Sequence, residues 1–163
     1  MHGRVLTILG TSLSLRDDIQ RCGVVGDVMA VNRTIVDYML PIRYAVSVHP
    51  NLLHLFMEWR KFARLDVHGV EWHSNLMLCP LAVNTSGLFA LWLAAEHLGY
   101  GEIRVLGMAA DGTGHYYDIT PGMRHDDFAE RFPFDNPAWV EVMGKWRGVR
   151  VASGNLTSIF PRL

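Results

Sequence analysis

Short apolar runs that each end at a polar residue constrain the fold of this chain most strongly. Val5 to Leu9 is followed by Gly10, and similar runs lead to Asn32 and to His49. Apolar, β-branched runs of this length are typical of strands that are buried on both faces of a parallel sheet. The sequence therefore predicts a series of parallel strands.

Helical segments lie between and after these runs. Leu52 to Phe62 has apolar residues at helical spacing, which predicts an amphipathic helix covering the sheet. Residues 84–107 predict an apolar helix closed by Gly99, followed by a strand. The residues assigned to the sheet-facing side of the predicted 52–62 helix are Leu52, Leu55, Phe56, Trp59 and Phe62. The remaining predicted elements are a strand at 76–78, a helix at 138–147 and a final strand at 149–151.

This alternation predicts one α/β domain over residues 1–163, with a mostly parallel sheet between two layers of helices. The chain has 163 residues, which is long enough for one hydrophobic core and short for two. Fifteen basic and sixteen acidic residues give a net charge of -1, so general nucleic-acid binding is not expected. Two cysteines and a first apolar run of only five residues predict a cytoplasmic protein without a membrane span or signal peptide.

Polar residues at strand ends and helix starts mark the expected ligand site. Parallel sheets bind ligands beyond the carboxyl ends of their strands, where backbone amides, hydroxyls and carboxamides can hold a nucleotide. Each residue also has a purely structural interpretation, as a strand-to-helix turn, a helix N-cap or an Asx turn. The residues assigned to nucleotide binding are Gly10, Thr11, Ser12, Asn32, Asn51, Thr85, Ser86, Gly87 and Gly107.

The segment from Gly107 to Phe134 is the predicted catalytic loop. It is long, has weak periodicity and carries many titratable and hydroxyl-bearing side chains. A histidine of this loop can act as a general base near neutral pH, and tyrosine hydroxyls can stabilise a departing phosphate without a metal. The alternative is a solvated surface turn. The histidine pairs elsewhere lack metal-site spacing, so no metal is expected.

The order of these motifs resembles that of bacterial sialyltransferases that carry a single Rossmann-like domain, and of related proteins that include archaeal pterin pyrophosphokinases. The most specific similarity is Thr85-Ser86-Gly87, an apolar helix and then Leu98-Gly99-Tyr100-Gly101-Glu102-Ile103. The resemblance implies a Rossmann-like fold, metal-independent sugar transfer from a CMP-type nucleotide sugar, and no prosthetic group. It also implies that His125 is the base and that Tyr116 and Tyr117 support the phosphate.

Two alternatives stay open at this point. The family's enzymes are longer, with a lid before the Thr-Ser-Gly helix, whereas only about twenty residues are available here, so the chain is alternatively a non-catalytic nucleotide-binding or assembly module. Pyrophosphoryl transfer to a pterin is the third hypothesis, and it requires a divalent metal held by acidic residues. The acidic residues available for the divalent metal are Asp111, Asp118, Asp126 and Asp127.

A second copy of the chain, in a homo-oligomer, is also among the expected partners.

Overall fold

Six parallel strands form one sheet in the computed structural model, which describes residues 3–74, 79, 85–110, 115–117 and 137–163. The strands are β1 Val5–Leu9, β2 Asp27–Val31, β3 Tyr44–Val46, β4 Glu71–His73, β5 Glu102–Leu106 and β6 Val149–Val151. Their order in the sheet is β4-β3-β2-β1-β5-β6, and every neighbouring pair is parallel. The predicted parallel sheet is confirmed.

Helices cover both faces of this sheet. They are α1 Leu15–Cys22, α2 Thr34–Asp37, α3 Pro50–Phe62, α4 Ser86–Glu96 and α5 Pro137–Met143, and a 3-10 helix spans Asn155–Ser158. Residues of α1, α2 and α3 form one hydrophobic cluster with the sheet, and residues of α4 and α5 form another. The fold is therefore a three-layer, Rossmann-like α/β domain, as predicted. None of the helices in the described ranges has the length and apolar content needed to cross a bilayer.

Strand burial follows from this layering. In β1, Leu6 and Ile8 belong to the cluster on the α4 side, whereas Leu9 belongs to the cluster on the α1 side. All three side chains are fully buried. A strand that is covered on both faces needs apolar residues at successive positions, which is why the runs in the sequence predict these strands.

The structure corrects the prediction for α3. The helix is present, but it turns a different side to the sheet from the one predicted. Of the five residues assigned to the buried side, only Phe56 is buried. The residues of α3 that face the core are Leu53, Phe56, Met57 and Arg60. The predicted core residues that are exposed instead are Leu52, Leu55, Trp59 and Phe62. Both sets have helical spacing, and the arginine makes the true core side look less apolar.

Other elements also differ between the sequence prediction and the structure. β4 is not predicted, because Glu71, Trp72 and His73 do not form an apolar run. It is an edge strand with one described neighbour, and Trp72 is largely exposed. The strand predicted at 76–78 lies outside the described residues. The helix predicted to reach Arg147 ends at Met143.

Arg60 is a fully buried cation that joins α3 to two loops. Its Nε donates to the carbonyl oxygen of Asp66 at 2.9 Å, and Nη1 donates to the carbonyls of Ile35 at 2.9 Å and Tyr38 at 2.8 Å. Nη2 donates to the carbonyl of Leu40 at 2.8 Å. Burial lowers the pKa of Arg60 from its ordinary value. Four backbone carbonyls are thus satisfied by one side chain.

Replacing Arg60 should destabilise the whole domain. Arg60→Leu fills similar space but leaves one buried and three part-buried carbonyls without their donor, so we expect the free energy of unfolding to fall by about 3–5 kcal/mol. Urea denaturation followed by circular dichroism measures this change. Lys61→Met, at an exposed position on the same helix, is the control and should change stability by less than about 0.5 kcal/mol. Equal stability of the two variants would contradict this role of Arg60.

Candidate functional site

The direction of chain winding reverses between β1 and β5. From β1 the chain proceeds outward through β2 and β3 to β4, with α1, α2 and α3 on one face of the sheet. It then returns along α4 on the other face to β5, on the opposite side of β1. Open parallel sheets bind ligands in the crevice beyond the strands' carboxyl ends at such a switch point. The loops after β1 and β5 are therefore the centre of the candidate site.

The backbones of these two loops approach each other closely at Gly10 and Gly107. A Cβ atom on Gly10 would lie 2.3 Å from the carbonyl oxygen of Gly107, so no larger residue fits without movement. The amide of Gly10 donates to Leu106 at 2.9 Å, and the amide of Ser12 donates to Gly107 at 2.8 Å. Two amides predicted to hold a phosphate are thus used to join the loops.

Thr11 differs from its two neighbours in this first loop. Within the described part of the chain, neither its amide nor its hydroxyl makes a hydrogen bond. Ser12, by contrast, accepts a hydrogen bond at Oγ from the amide of Ala109 at 2.9 Å. Ser14, which directly precedes α1, makes no side-chain capping bond. Among the described residues, Thr11 therefore has an unused amide and an unused hydroxyl, and the buried hydroxyl of Ser14 is likewise without a partner.

Tyr116 is held directly against the first loop. Its amide donates to the carbonyl of Thr11 at 3.0 Å, and its hydroxyl donates to Oδ2 of Asp37 at 2.9 Å. The same hydroxyl lies 3.3 Å from Oγ1 of Thr34, which donates to the carbonyl of Gly10 at 2.8 Å. Burial and the nearby Asp37 carboxylate raise the pKa of Tyr116. The hydroxyl is therefore protonated and able to donate at neutral pH.

Asn32 carries the strongest local sign of a ligand contact. It follows β2 in the left-handed backbone region, with φ at 52°, which is uncommon for a residue other than glycine. Its side-chain oxygen is buried and has no hydrogen-bond partner among the residues that the structure describes. Buried acceptors are nearly always paired, and strained backbone is concentrated at functional sites. Asn32 therefore presents an unsatisfied acceptor at the carboxyl edge.

The predicted residues at the start of α4 have structural partners. Oγ1 of Thr85 accepts from the amide of Leu88 at 3.2 Å, which is the N-cap interpretation. Oγ of Ser86 accepts from the amide of Val48 at 2.9 Å and is almost fully buried. A Cβ atom on Gly87 would lie 3.2 Å from the side chain of Met108. These three residues therefore position α4 at the carboxyl edge.

The other predicted residues lie at the margin of this site or beyond the described residues. Asn51 is exposed in the first turn of α3, one strand further from the switch point than Asn32. Tyr117 is 42% exposed, and its ring stacks on His115 with centroids 5.0 Å apart. His125 and the acidic residues of the pterin hypothesis, Asp111, Asp118, Asp126 and Asp127, lie outside the described residues.

Asp18 is a site residue that sequence reasoning misses. The carboxylate is almost fully buried, and Oδ2 accepts from the amide of Gly107 and from Oγ of Ser153, both at 2.9 Å. Oδ1 pairs with Arg21 at 3.1 Å. Asp18 thereby joins α1 to the ends of β5 and β6. Its sequence signal is an acidic residue in the first turn of a helix, which also fits a solvated N-terminus.

Comparison with protein-family models, characterised proteins and solved structures finds no match to this chain. The resemblance to sialyltransferase-like proteins therefore remains a prediction. In the described part of the chain, no group of three or more His, Cys, Asp or Glu residues could hold a metal ion. The candidate site is thus defined by Thr11, Asn32 and Tyr116 around the junction of Gly10 and Gly107.

An alanine at position 10 should disrupt this junction. Gly10→Ala places a methyl group against the Gly107 carbonyl, so we expect the free energy of unfolding to fall by about 3 kcal/mol. Amide exchange at Ser12 should also become faster. Gly144→Ala is the control, because its Cβ meets no atom closer than 3.3 Å; it should change stability by less than about 1 kcal/mol. Native stability and native exchange in Gly10→Ala would refute the close approach.

Proposed function

We propose that the carboxyl edge between β2, β1 and β5 binds a nucleotide or nucleotide sugar. The observation that carries this proposal is the buried side-chain oxygen of Asn32, which has no hydrogen-bond partner among the described residues. Leaving a buried acceptor unpaired costs about 1–3 kcal/mol, and a ligand that donates to it removes this cost. The location of Asn32 beside the switch point supports the same conclusion.

The polarity of the site supports an orientation for the ligand. Asn32 offers an acceptor, which suits a ribose hydroxyl or the exocyclic amino group of a base. Thr11 offers an amide and a hydroxyl, which suit the acceptor oxygens of a phosphate. We therefore propose that the nucleoside lies towards the end of β2 and the phosphate towards the end of β1. A cytidine nucleotide is favoured by the resemblance described above.

Tyr116 supplies the link from binding to transfer chemistry. Its raised pKa keeps the hydroxyl protonated. The hydroxyl now donates to the Asp37 carboxylate, and it can donate to a phosphate oxygen instead when a ligand is bound. In the proposed reaction, an acceptor hydroxyl attacks the anomeric carbon and the bond from that carbon to the phosphate oxygen breaks. Charge then grows on the phosphate, where a donor stabilises it. His125 takes the acceptor's proton in this proposal, and Tyr117 is the second tyrosine near the site.

A non-catalytic nucleotide-binding module is the second candidate. It is favoured by the first loop, where the amides of Gly10 and Ser12 already donate to Leu106 and Gly107. A phosphate at this loop meets fewer free backbone donors than in a typical phosphate-binding loop. Turnover of a CMP-sugar distinguishes the candidates, since only the transferase releases CMP. His125→Ala should abolish that release without changing CMP affinity.

Calorimetric titration with CMP, UDP, GDP, ATP and NAD, with and without magnesium, tests binding. We expect selective, magnesium-independent binding of CMP, together with a rise in melting temperature that follows from binding to the native state alone. Failure of all five nucleotides to bind would refute the proposed function. Binding of CMP only with magnesium would exclude the metal-independent mechanism.

Two substitutions should separate the nucleoside and phosphate contacts. Asn32→Ala should weaken both cytidine and CMP by roughly two- to tenfold, because it removes the acceptor for the nucleoside. Tyr116→Phe should weaken CMP by about tenfold and leave cytidine unchanged, because its hydroxyl donates to a charged phosphate. Asn51→Ala, at the margin of the site, is the matched control for Asn32→Ala. An equal loss of affinity in these two variants, or a loss of cytidine affinity in Tyr116→Phe, would exclude the proposed orientation.

A further inference from the structure

The outer side of α3 carries an exposed apolar stripe. Phe62 is 90% exposed, Leu52 and Trp59 are each 41% exposed, and Leu55 is 39% exposed. These four residues, here called the α3 stripe, are separated by three, four and three positions. They therefore lie along one side of the helix. The opposite side of α3 is already packed against the sheet, so the stripe is additional apolar surface.

Apolar side chains are also exposed on a loop whose backbone is bonded to α3. The loop after α2 exposes Met39 to 69% and Leu40 to 61%. Arg60 holds this loop to α3 through the carbonyls of Tyr38 and Leu40. The exposed side chains are thus carried by a fixed backbone, because both anchoring carbonyls bond to one fully buried guanidinium.

We infer that the α3 stripe packs against the same stripe of a second copy of this chain. The 3-4-3 spacing is that of two heptads, the pattern by which helices pair along their length. The spacing is also the same from either end of the stripe. Two antiparallel copies of α3 can therefore align with a twofold axis at position 57. Leu52 then faces the partner's Phe62, and Leu55 faces the partner's Trp59. A twofold dimer requires such a self-complementary surface.

The available area matches what a dimer needs. With full side-chain areas of about 150–250 Å² each, the stripe together with Met39 and Leu40 exposes roughly 600 Å². A standard interface buries about 800 Å² per partner, of which somewhat more than half is apolar. The surface is also at or above the largest apolar patch of a typical monomer, about 300–600 Å². A second copy would therefore cover most of it in one contact.

Arg33 gives this interface a polar rim. Its guanidinium lies 5.6 Å from the centroid of the Trp59 ring and is paired with Asp37 at 3.2 Å. Interfaces commonly have an aromatic or aliphatic centre and a charged margin, and arginine stacked on an aromatic ring is enriched there. The stripe and its margin therefore have the composition of a protein contact.

Sedimentation of the purified chain at micromolar concentrations tests this inference. We expect a dimer for the native chain and for Val25→Glu, and monomers for Leu55→Glu and Phe62→Glu. Val25 is the matched control for Leu55, because it is an apolar residue of similar exposure, 45%, and lies in the loop before β2 rather than on α3. Circular dichroism should be the same for all four proteins, since each substitution is at an exposed position.

Cysteine cross-linking tests the antiparallel alignment. A mixture of Leu55→Cys and Trp59→Cys chains, each with Cys22 and Cys79 replaced by serine, should form a mixed disulfide dimer on mild oxidation. Neither variant should cross-link efficiently by itself. A monomeric native chain, or a dimer that survives both glutamate substitutions, would overturn the inference. Efficient cross-linking of each single variant with itself would overturn the antiparallel alignment.

Discussion

The backbone contact between Gly10 and Gly107 holds together the two halves of this fold. Because Gly10 has no Cβ atom, the carbonyl of Gly107 can lie where that atom would be, and hydrogen bonds join the two loops where the winding direction reverses. Asp18 reinforces the junction from α1 by accepting from the amide of Gly107. Helices can then cover opposite faces on either side of β1. The crevice proposed as the ligand site results from this reversal of winding.

Much of the fold can be predicted from the sequence because burial on both faces imposes a simple pattern. β1, β2 and β5 are apolar along most of their length, and their existence and direction follow from that pattern. β4 lacks the pattern because it is an edge strand. In α3, helical spacing identifies two apolar sides and cannot decide between them. The choice depends on Arg60, three of whose four carbonyl partners lie 20 to 25 residues earlier in the chain.

For the candidate site, the sequence predicts where the residues lie better than it predicts which hydrogen bonds they make. Strand direction is enough to bring Thr11, Asn32 and Gly107 to one edge. Whether a hydroxyl forms a hydrogen bond within the protein depends on its distance from the nearest backbone group. Tertiary packing sets that distance. Ser86 meets the amide of Val48, for example, although 38 residues separate them in the chain. The same holds for Asp18, which accepts hydrogen bonds from Gly107 and Ser153 in the loops that follow β5 and β6.

The buried guanidinium of Arg60 also limits how sequences with this fold can diverge. Surface loops usually tolerate insertions and deletions, because their backbones hydrogen-bond to water. Here the carbonyls of Tyr38, Leu40 and Asp66 must all reach one side chain of fixed shape. Gain or loss of a residue in either loop would move an acceptor out of reach. Both connections should therefore keep their lengths in homologous chains, even where the loop side chains vary freely.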